Sequence, residues 1–161
     1  MSAIGRRVIS RLRLVAIAAV LVTLFDQLSK AVVIRKLPAG DAPVGILPYV
    51  TLDHVSNTGA AFSLFAGARW MLVLMAGIIL AVIVVMAVKH ERGDRLSMIA
   101  LGAIAGGAMG NLIDRVRFGA VTDFIDIGAW PTFNVADICI VTGVALVIIQ
   151  SWRLRTVEEV V

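Results

Sequence analysis

An apolar run at residues 70–88 limits what this chain can fold into more than any other feature of the sequence. All nineteen of its side chains are apolar or aromatic, and a helix needs about 20 such residues to cross the hydrocarbon core of a bilayer. Across the chain, 60% of the 161 residues are hydrophobic and only 16% are charged, against roughly 25% charged residues in soluble domains. A soluble domain of this size cannot bury so much apolar surface. We therefore predict one integral membrane domain over residues 1–161.

Three further stretches are long and apolar enough to span a membrane. They cover residues 14–34, 96–113 and 134–152, so the chain is predicted to be an all-α bundle of four transmembrane helices. The first stretch follows four arginines, a pattern that is also typical of a signal peptide. No small-residue cleavage site precedes Asp26, however, and the apolar pattern continues through Ile34. We therefore predict an uncleaved first helix.

The basic residues predict how the four spans are oriented. Nine of the fifteen lysines and arginines lie before residue 14, between residues 89 and 95, or after residue 152. Because short segments rich in lysine and arginine stay in the cytoplasm, we predict both termini inside and the loops at 36–69 and 114–133 outside. Membrane orientation then accounts for the net charge of +4, and we expect no nucleic-acid partner.

The two predicted outer loops contain short runs that are typical of β-strands. Residues 49–55 and 121–127 are rich in β-branched and aromatic side chains, which favour extended structure. We therefore predict a small β-rich platform outside the membrane, above the helix bundle.

Acidic side chains cluster toward the predicted outer face, although charged groups in and near membrane spans are costly unless they serve a function. Some have a structural explanation. Asp26 precedes Lys30 by four residues, the favourable order for a helical ion pair, and Asp137 follows Asn134 by three, which is typical of a helix cap. Asp123 has no basic residue near it in the sequence. Seven of the eleven acidic residues lie on this face: Asp26, Asp41, Asp53, Asp114, Asp123, Asp126 and Asp137.

The third span carries polar residues on a face that also contains a glycine repeat. Asn111, Asp114 and Arg115 share that face at its outer end, where an ion pair between Asp114 and Arg115 is one structural interpretation. Glycines recur at positions 102, 106 and 110, a spacing that lets a neighbouring helix approach closely. The repeat predicts that this polar face is drawn into the interior of the bundle.

Three kinds of function are compatible with these carboxylates. Two close aspartates and a water suffice for acid–base catalysis. Asp114, Asp123 and Asp126 together suit Mg²⁺, as in a membrane phosphotransferase. A proton-coupled transporter also needs carboxylates in its spans, although four spans without an inverted repeat argue against it. A zinc site is excluded because the chain has one cysteine and two histidines on opposite sides of the membrane.

Five sequence motifs resemble those of the lipoprotein signal peptidases, also called signal peptidase II. They occur in the order of that family, cover residues 26–137 and show no departure at a motif position. The motifs are Asp26-Gln27-Leu28-Ser29-Lys30, Asn57-Thr58-Gly59-Ala60-Ala61-Phe62, Gly106-Gly107-Ala108-Met109-Gly110-Asn111-Leu112-Ile113-Asp114-Arg115, Val121-Thr122-Asp123-Phe124 and Phe133-Asn134-Val135-Ala136-Asp137.

The resemblance implies four transmembrane helices with a small β-rich cradle and a short helix on the periplasmic side. It implies an aspartic endopeptidase of the bacterial inner membrane that uses no metal and no cofactor. Such an enzyme removes the signal peptide from diacylglyceryl-modified prolipoproteins, cleaving before the lipidated cysteine. Lipid-modified prolipoproteins and membrane lipid are then its partners, and we expect a monomer with its active site facing the periplasm.

The resemblance also assigns roles to individual residues. It maps the catalytic pair onto Asp123 and Asp137. It maps supporting or substrate-binding roles onto Asp26, Asn57, Asn111, Arg115 and Asn134, with Asp114 and Lys30 as structural support.

Overall fold

Four long helices make up most of the molecule. The computed structural model describes residues 3–59, 68–89 and 94–159, and four helices in these ranges are long and apolar enough to cross a membrane. This confirms the predicted four-helix membrane bundle. The helices are α1 (Ala3–Lys36), α2 (Arg69–Lys89), α3 (Arg95–Phe118) and α4 (Val135–Glu159).

The helices extend beyond the predicted spans, because hydropathy marks only the part of a helix that lies within the bilayer core. Helix α1 already includes the arginine-rich segment before residue 14, and α3 continues past Ile113 to Phe118. Gly119 ends α3 with a positive φ of 79° and an N–H that donates to the carbonyl of Arg115, a common C-terminal cap.

Helix α3 forms the core of the bundle. In its most apolar window 61% of the residues are buried, against 17% or less in the other three helices. Its glycines allow this: a Cβ atom on Gly102 would lie 2.6 Å from the Cβ of Ala18, and one on Gly106 would lie 2.6 Å from the carbonyl oxygen of Ala19. The glycine repeat therefore packs α3 against α1 backbone to backbone, as predicted.

The segment between α1 and α2 and the segment between α3 and α4 together form a three-stranded antiparallel sheet. Its strands are β1 (Val44–Leu47), β2 (Val50–Asn57) and β3 (Val121–Asp126), in that order across the sheet. β2 and β3 match the two predicted strand-like runs. β1 was not predicted, because four residues that include a glycine give no clear alternation. The short helix implied by the resemblance is not among the elements of the described residues.

The sheet joins the two loops that were predicted to face outward. Val55 in β2 pairs with Asp123 in β3, and Asn57 pairs with Val121. Beyond β3, the chain turns back so that Phe133 exchanges backbone hydrogen bonds with Ile125 at 2.8 and 3.0 Å. This return places the start of α4 directly beside β3.

Candidate active site

A buried ion cluster links α1 to α3. The ammonium of Lys30 lies 2.9 Å from a carboxylate oxygen of Asp26 and 2.9 Å from one of Asp114, and all three side chains are at most 3% exposed. The predicted pair of Asp26 and Lys30 is therefore present. The ion pair suggested for Asp114 and Arg115 does not form. Asp114 instead pairs with Lys30 and accepts a hydrogen bond from the backbone N–H of Thr122.

Gln27 is a member of this cluster that the sequence argument left without a role. Its Nε2 donates to Asp114 Oδ1 at 2.8 Å and to the carbonyl oxygen of Gly110 at 3.2 Å. The only signal in the sequence was its position next to Asp26 in the polar interruption of an apolar helix.

Asp26 also supports the last helix. Its Oδ1 accepts a hydrogen bond of 3.0 Å from the backbone N–H of Ala136, at the start of α4, where backbone N–H groups have no partner within the helix. A carboxylate there is favoured by the helix dipole as well. A side chain of α1 thus fixes the position from which Asn134 and Asp137 project.

Asn111 connects the ion cluster to Asp137. Its Oδ1 accepts hydrogen bonds from Lys30 Nζ at 2.9 Å and from Asn134 Nδ2 at 3.1 Å, and its Nδ2 donates to Asp137 Oδ1 at 2.9 Å. An ammonium can only donate. Lys30 therefore determines which end of the Asn111 amide faces Asp137, and that end is the donor.

Asn134 and Asp137 cap the start of α4 reciprocally. The N–H of Asn134 donates to Asp137 Oδ2 at 3.2 Å, and the N–H of Asp137 donates to Asn134 Oδ1 at 3.0 Å. The arrangement resembles a capping box and confirms the cap inferred from the spacing. The cap does not withdraw Asp137 from the cavity described below, because Asp137 also lines that cavity.

Asp123 lies on β3 and is 2% exposed. Its two carboxylate oxygens accept hydrogen bonds from Asn57 Nδ2 at 2.8 Å and Asn134 Nδ2 at 2.7 Å. Burial raises the pKa of Asp123 from 3.8 to about 6, the hydrogen bond from Asn57 opposes that rise, and the charge of Asp137 adds to it. A carboxyl group that holds a proton this close to neutral pH suits acid–base chemistry.

The two aspartates face one cavity of about 620 Å³ between the sheet and the helix ends. Arg115 also lines it and donates to the carbonyl oxygen of Gly59 at 2.8 Å. Asp126 does not line the cavity, since its Oδ1 accepts from the N–H of Gly128 in a local turn. The cavity-lining residues to which the sequence analysis assigned no site role are Val55, Ser56, Thr58, Val121, Trp130, Pro131, Thr132, Phe133, Ile140 and Val141.

The structure brings all nine predicted site residues into one hydrogen-bonded network. Positions 60–62 of the second motif, which were assigned no site role, lie outside the described residues. The three aspartates suggested for Mg²⁺ do not converge. Asp114 forms an ion pair with Lys30, and Asp123 accepts hydrogen bonds from two asparagines. Asp126 accepts a hydrogen bond from the backbone of a local turn. Within residues 3–59, 68–89 and 94–159, no group of three histidine, cysteine or acidic side chains is spaced to hold a metal ion.

Comparisons with known proteins show which family this chain is similar to. Residues 18–153 match the family model described as signal peptidase (SPase) II. A lipoprotein signal peptidase of Halothermothrix orenii is 36% identical over 146 residues, covering 91% of this chain and 100% of the relative. One of Aeromonas hydrophila is 38% identical, covering 88% and 90%. One of Dehalococcoides mccartyi is 45% identical, covering 75% and 78%.

Two solved structures share the fold. Both are described as bacterial membrane enzymes determined by the in meso method, at 2.3 and 1.9 Å resolution. The first superposes with a TM-score of 0.81 at 31% identity, covering 86% of this chain and 87% of that one. The second gives a TM-score of 0.77 at 32% identity, with coverage of 84% and 90%.

Proposed function

Because the chain belongs to the signal peptidase II family, which cleaves signal peptides from prolipoproteins, we propose that Asp123 and Asp137 are its catalytic pair. The protein is a membrane endopeptidase of the aspartic type. The observation that carries the assignment is that both carboxylates face the same cavity and are bridged by the amides of Asn111 and Asn134. The phosphotransferase alternative has no comparable support.

The chemistry follows from placing two carboxylates in a buried site. Close carboxylates do not both ionise readily, so the pair holds one proton at neutral pH. The ionised partner takes a proton from a water, and the resulting hydroxide attacks the scissile carbonyl carbon. The protonated partner donates its proton to the carbonyl oxygen. Collapse of the tetrahedral intermediate breaks the C–N bond. The amine leaves with a proton from the partner that is now protonated, and the other carboxylate takes a proton from a hydroxyl group of the intermediate, so the pair again holds one proton. The proton belongs to the pair rather than to one residue.

The surrounding residues are assigned supporting roles. Asn57, Asn111 and Asn134 hold the two carboxylates through their amide groups, with the donors directed at Asp123 and Asp137. Arg115 provides a cation on the cavity wall for the substrate backbone. The cluster of Lys30, Asp26 and Asp114 is structural and joins α1, α3 and the start of α4. The network needs neither a metal nor another cofactor.

We assign the substrate as a prolipoprotein whose cysteine already carries a diacylglyceryl group, with cleavage immediately before that cysteine. The cavity lies where helix ends meet the sheet, so acyl chains can remain in the bilayer beside the helices while the peptide enters between the aspartates. Each buried CH₂ group contributes about 0.8 kcal/mol to such anchoring. In this arrangement the enzyme is a monomer in the inner membrane, with the cavity on the periplasmic side and both termini in the cytoplasm.

Cleavage of a diacylglyceryl-modified precursor peptide by the purified protein tests the proposal. Asp123→Asn and Asp137→Asn each keep the side-chain volume but cannot transfer a proton. We expect each to lose most activity, since an acid–base group contributes about 10²–10⁴-fold. The double variant is expected to be little worse than either single one, because groups acting as a unit are not additive. EDTA should leave cleavage unchanged.

Asp126→Asn is the matched control, since it removes a carboxylate from the same strand but outside the cavity. A folded Asp137→Asn protein with near-normal turnover would remove Asp137 from the pair and leave it only its cap. Activity that EDTA abolishes and Mg²⁺ restores would overturn the metal-free mechanism.

A further inference from the structure

A second cavity lies at the opposite end of the bundle from the two aspartates. It measures about 190 Å³, several times the roughly 30 Å³ that one water occupies in the liquid. It is formed between residues 7–14 of α1 and the first turn of α3. It plays no part in the mechanism above. Its lining residues are Arg7, Ser10, Arg11, Leu14, Arg95 and Met98.

The lining residues of α1 form a single face of that helix. Positions 7, 10, 11 and 14 follow the spacing of residues that lie above one another on an α-helix. Arg95, the first residue of α3, completes the cavity from the other side. Three arginines therefore line one small space.

The cavity is charged at its rim and apolar at its floor. Leu14 packs against the hydrophobic core, and Met98 is part of that core at 1% exposure. A phosphate group suits the rim, because guanidinium groups bind phosphate with two parallel hydrogen bonds. A free phosphate ion would make no favourable contact with the apolar floor. A phospholipid would, because its hydrocarbon lies directly beside its headgroup.

The depth of the cavity also matches a headgroup. Nineteen residues separate Arg11 from Lys30 along α1, which corresponds to about 29 Å at the helical rise and so to about one hydrocarbon thickness. Arg11 also lies three residues before the predicted span 14–34, which contains Lys30, so the arginines lie at the cytoplasmic boundary of the bilayer core, among lipid phosphates.

We propose that this cavity binds the phosphate of an anionic phospholipid between α1 and α3. Basic pockets between transmembrane helices are the expected binding sites for such headgroups. The bound lipid bridges the two helices whose glycine contacts carry the core of the bundle, so it stabilises the fold from the end opposite the active site. The proposal does not depend on the assignment of the catalytic pair.

Lipid titration of the purified full-length protein in zwitterionic detergent tests the proposal, with native mass spectrometry and the thermal midpoint as readouts. We expect phosphatidylglycerol to bind and raise the midpoint, and phosphatidylcholine to do neither. The double variant Arg7→Gln/Arg95→Gln should weaken phosphatidylglycerol binding at least about tenfold, because it removes two charge-assisted contacts. Its cleavage of precursor peptide should stay at the wild-type level.

The double variant Arg13→Gln/Arg153→Gln is the matched control, because it removes the same charge from exposed arginines at this end of the bundle that do not line the cavity. If this control loses as much affinity, the attraction is diffuse and the proposal fails. If inorganic phosphate raises the midpoint as much as the lipid does, the cavity takes a soluble anion and the lipid assignment is wrong. Should the first double variant not fold, Arg95→Gln against Arg13→Gln gives the same comparison.

Discussion

Lys30 is the cation of the buried ion cluster and pairs with two carboxylates at once. Its three ammonium protons meet Asp26, Asp114 and Asn111, each at 2.9 Å, so it has no donor left over. Through Asn111 it also sets which group faces Asp137. One buried lysine therefore serves both the packing of α1 on α3 and the orientation of a proposed catalytic carboxylate.

Replacing Lys30 by methionine is expected to destabilise the protein far more than Asp114→Asn. Lys30→Met leaves two buried carboxylates without a cation, and breaking a buried ion pair in this way costs about 3–5 kcal/mol. Asp114→Asn leaves Lys30 balanced by Asp26. Unfolding in detergent at pH 7 measures both, with Lys36→Met at the exposed end of α1 as the control. Equal losses for Lys30→Met and Asp114→Asn would contradict this account of the cluster.

Asp123 predicts a pH dependence of stability. Its pKa is about 6 in the folded protein and 3.8 in an unfolded chain, so between these values the folded state binds more protons. The free energy of unfolding must then fall as pH rises from 4 to 6 and level off above, by an amount on the order of 2–3 kcal/mol from this residue. Asp123→Asn should remove that part of the slope in thermal unfolding measured across this range. An unchanged slope would show that Asp123 is ionised throughout.

Helix packing shows how a local pattern becomes a tertiary contact. The glycines of α3 gave a prediction from spacing alone, and the contacts with Ala18 and Ala19 of α1 fulfil it. Gly110 lies against the carboxylate of Asp26, so the same stripe that lets the helices approach also leaves room for the ion cluster. Packing and chemistry share one surface of α3.

Gly106→Ala is therefore expected to destabilise the bundle. Its new methyl group would meet the backbone oxygen of Ala19 at 2.6 Å and the Cβ of Val22 at 2.7 Å, and overpacking of this kind costs about 1–3 kcal/mol. Gly77→Ala in α2 is the control, because nothing lies within 4 Å of its added atom. The control should be neutral or slightly stabilising, since alanine favours helix over glycine. Equal thermal midpoints for Gly106→Ala and Gly77→Ala would show that the glycine repeat is not needed for packing α3 on α1.

Local spacing predicted some contacts of the site and could not predict others. The ion pair of Asp26 with Lys30 and the cap of Asn134 with Asp137 lie within one helical turn, where sequence distance is close to spatial distance. The bonds from Lys30 to Asp114 and from Ala136 to Asp26 span 84 and 110 residues, and no local pattern encodes them. Asp123 and Asp137 were paired by resemblance of the motifs, not by periodicity.

At the scale of the whole molecule, the two arrays of charge lie at opposite ends of the bundle. The carboxylates and their partners lie where α1 and α3 end and α4 begins, and the arginine cavity lies where α1 and α3 begin. Because basic segments are retained in the cytoplasm, this polarity predicts the orientation of the protein in its membrane. We therefore expect the proposed active site to face the periplasm.

Reporter fusions check that orientation. A reporter that is active only in the periplasm should be silent when fused after position 161 and active when inserted near Asp41, between α1 and β1. A cytoplasmic reporter should give the opposite result at both positions. Periplasmic activity at position 161 would place the carboxylates on the cytoplasmic side, where the proposed substrate has no exposed cleavage site.

The bond between Asp26 and Ala136 also has a consequence for biogenesis. Helix α1, which is synthesised before α4, carries the carboxylate that secures the start of α4, and the strand that bears Asp123 pairs with a strand made more than 60 residues earlier. A nascent chain that has inserted only α1, α2 and α3 therefore contains Asp26 but not the helix that Asp26 positions. It has no Asp137 in place, and Asp123 lacks its hydrogen bond from Asn134. Because Asp137 lies on α4, the proposed catalytic pair is complete only once α4 has inserted, and we expect a chain stalled before that point to leave neighbouring signal peptides uncut.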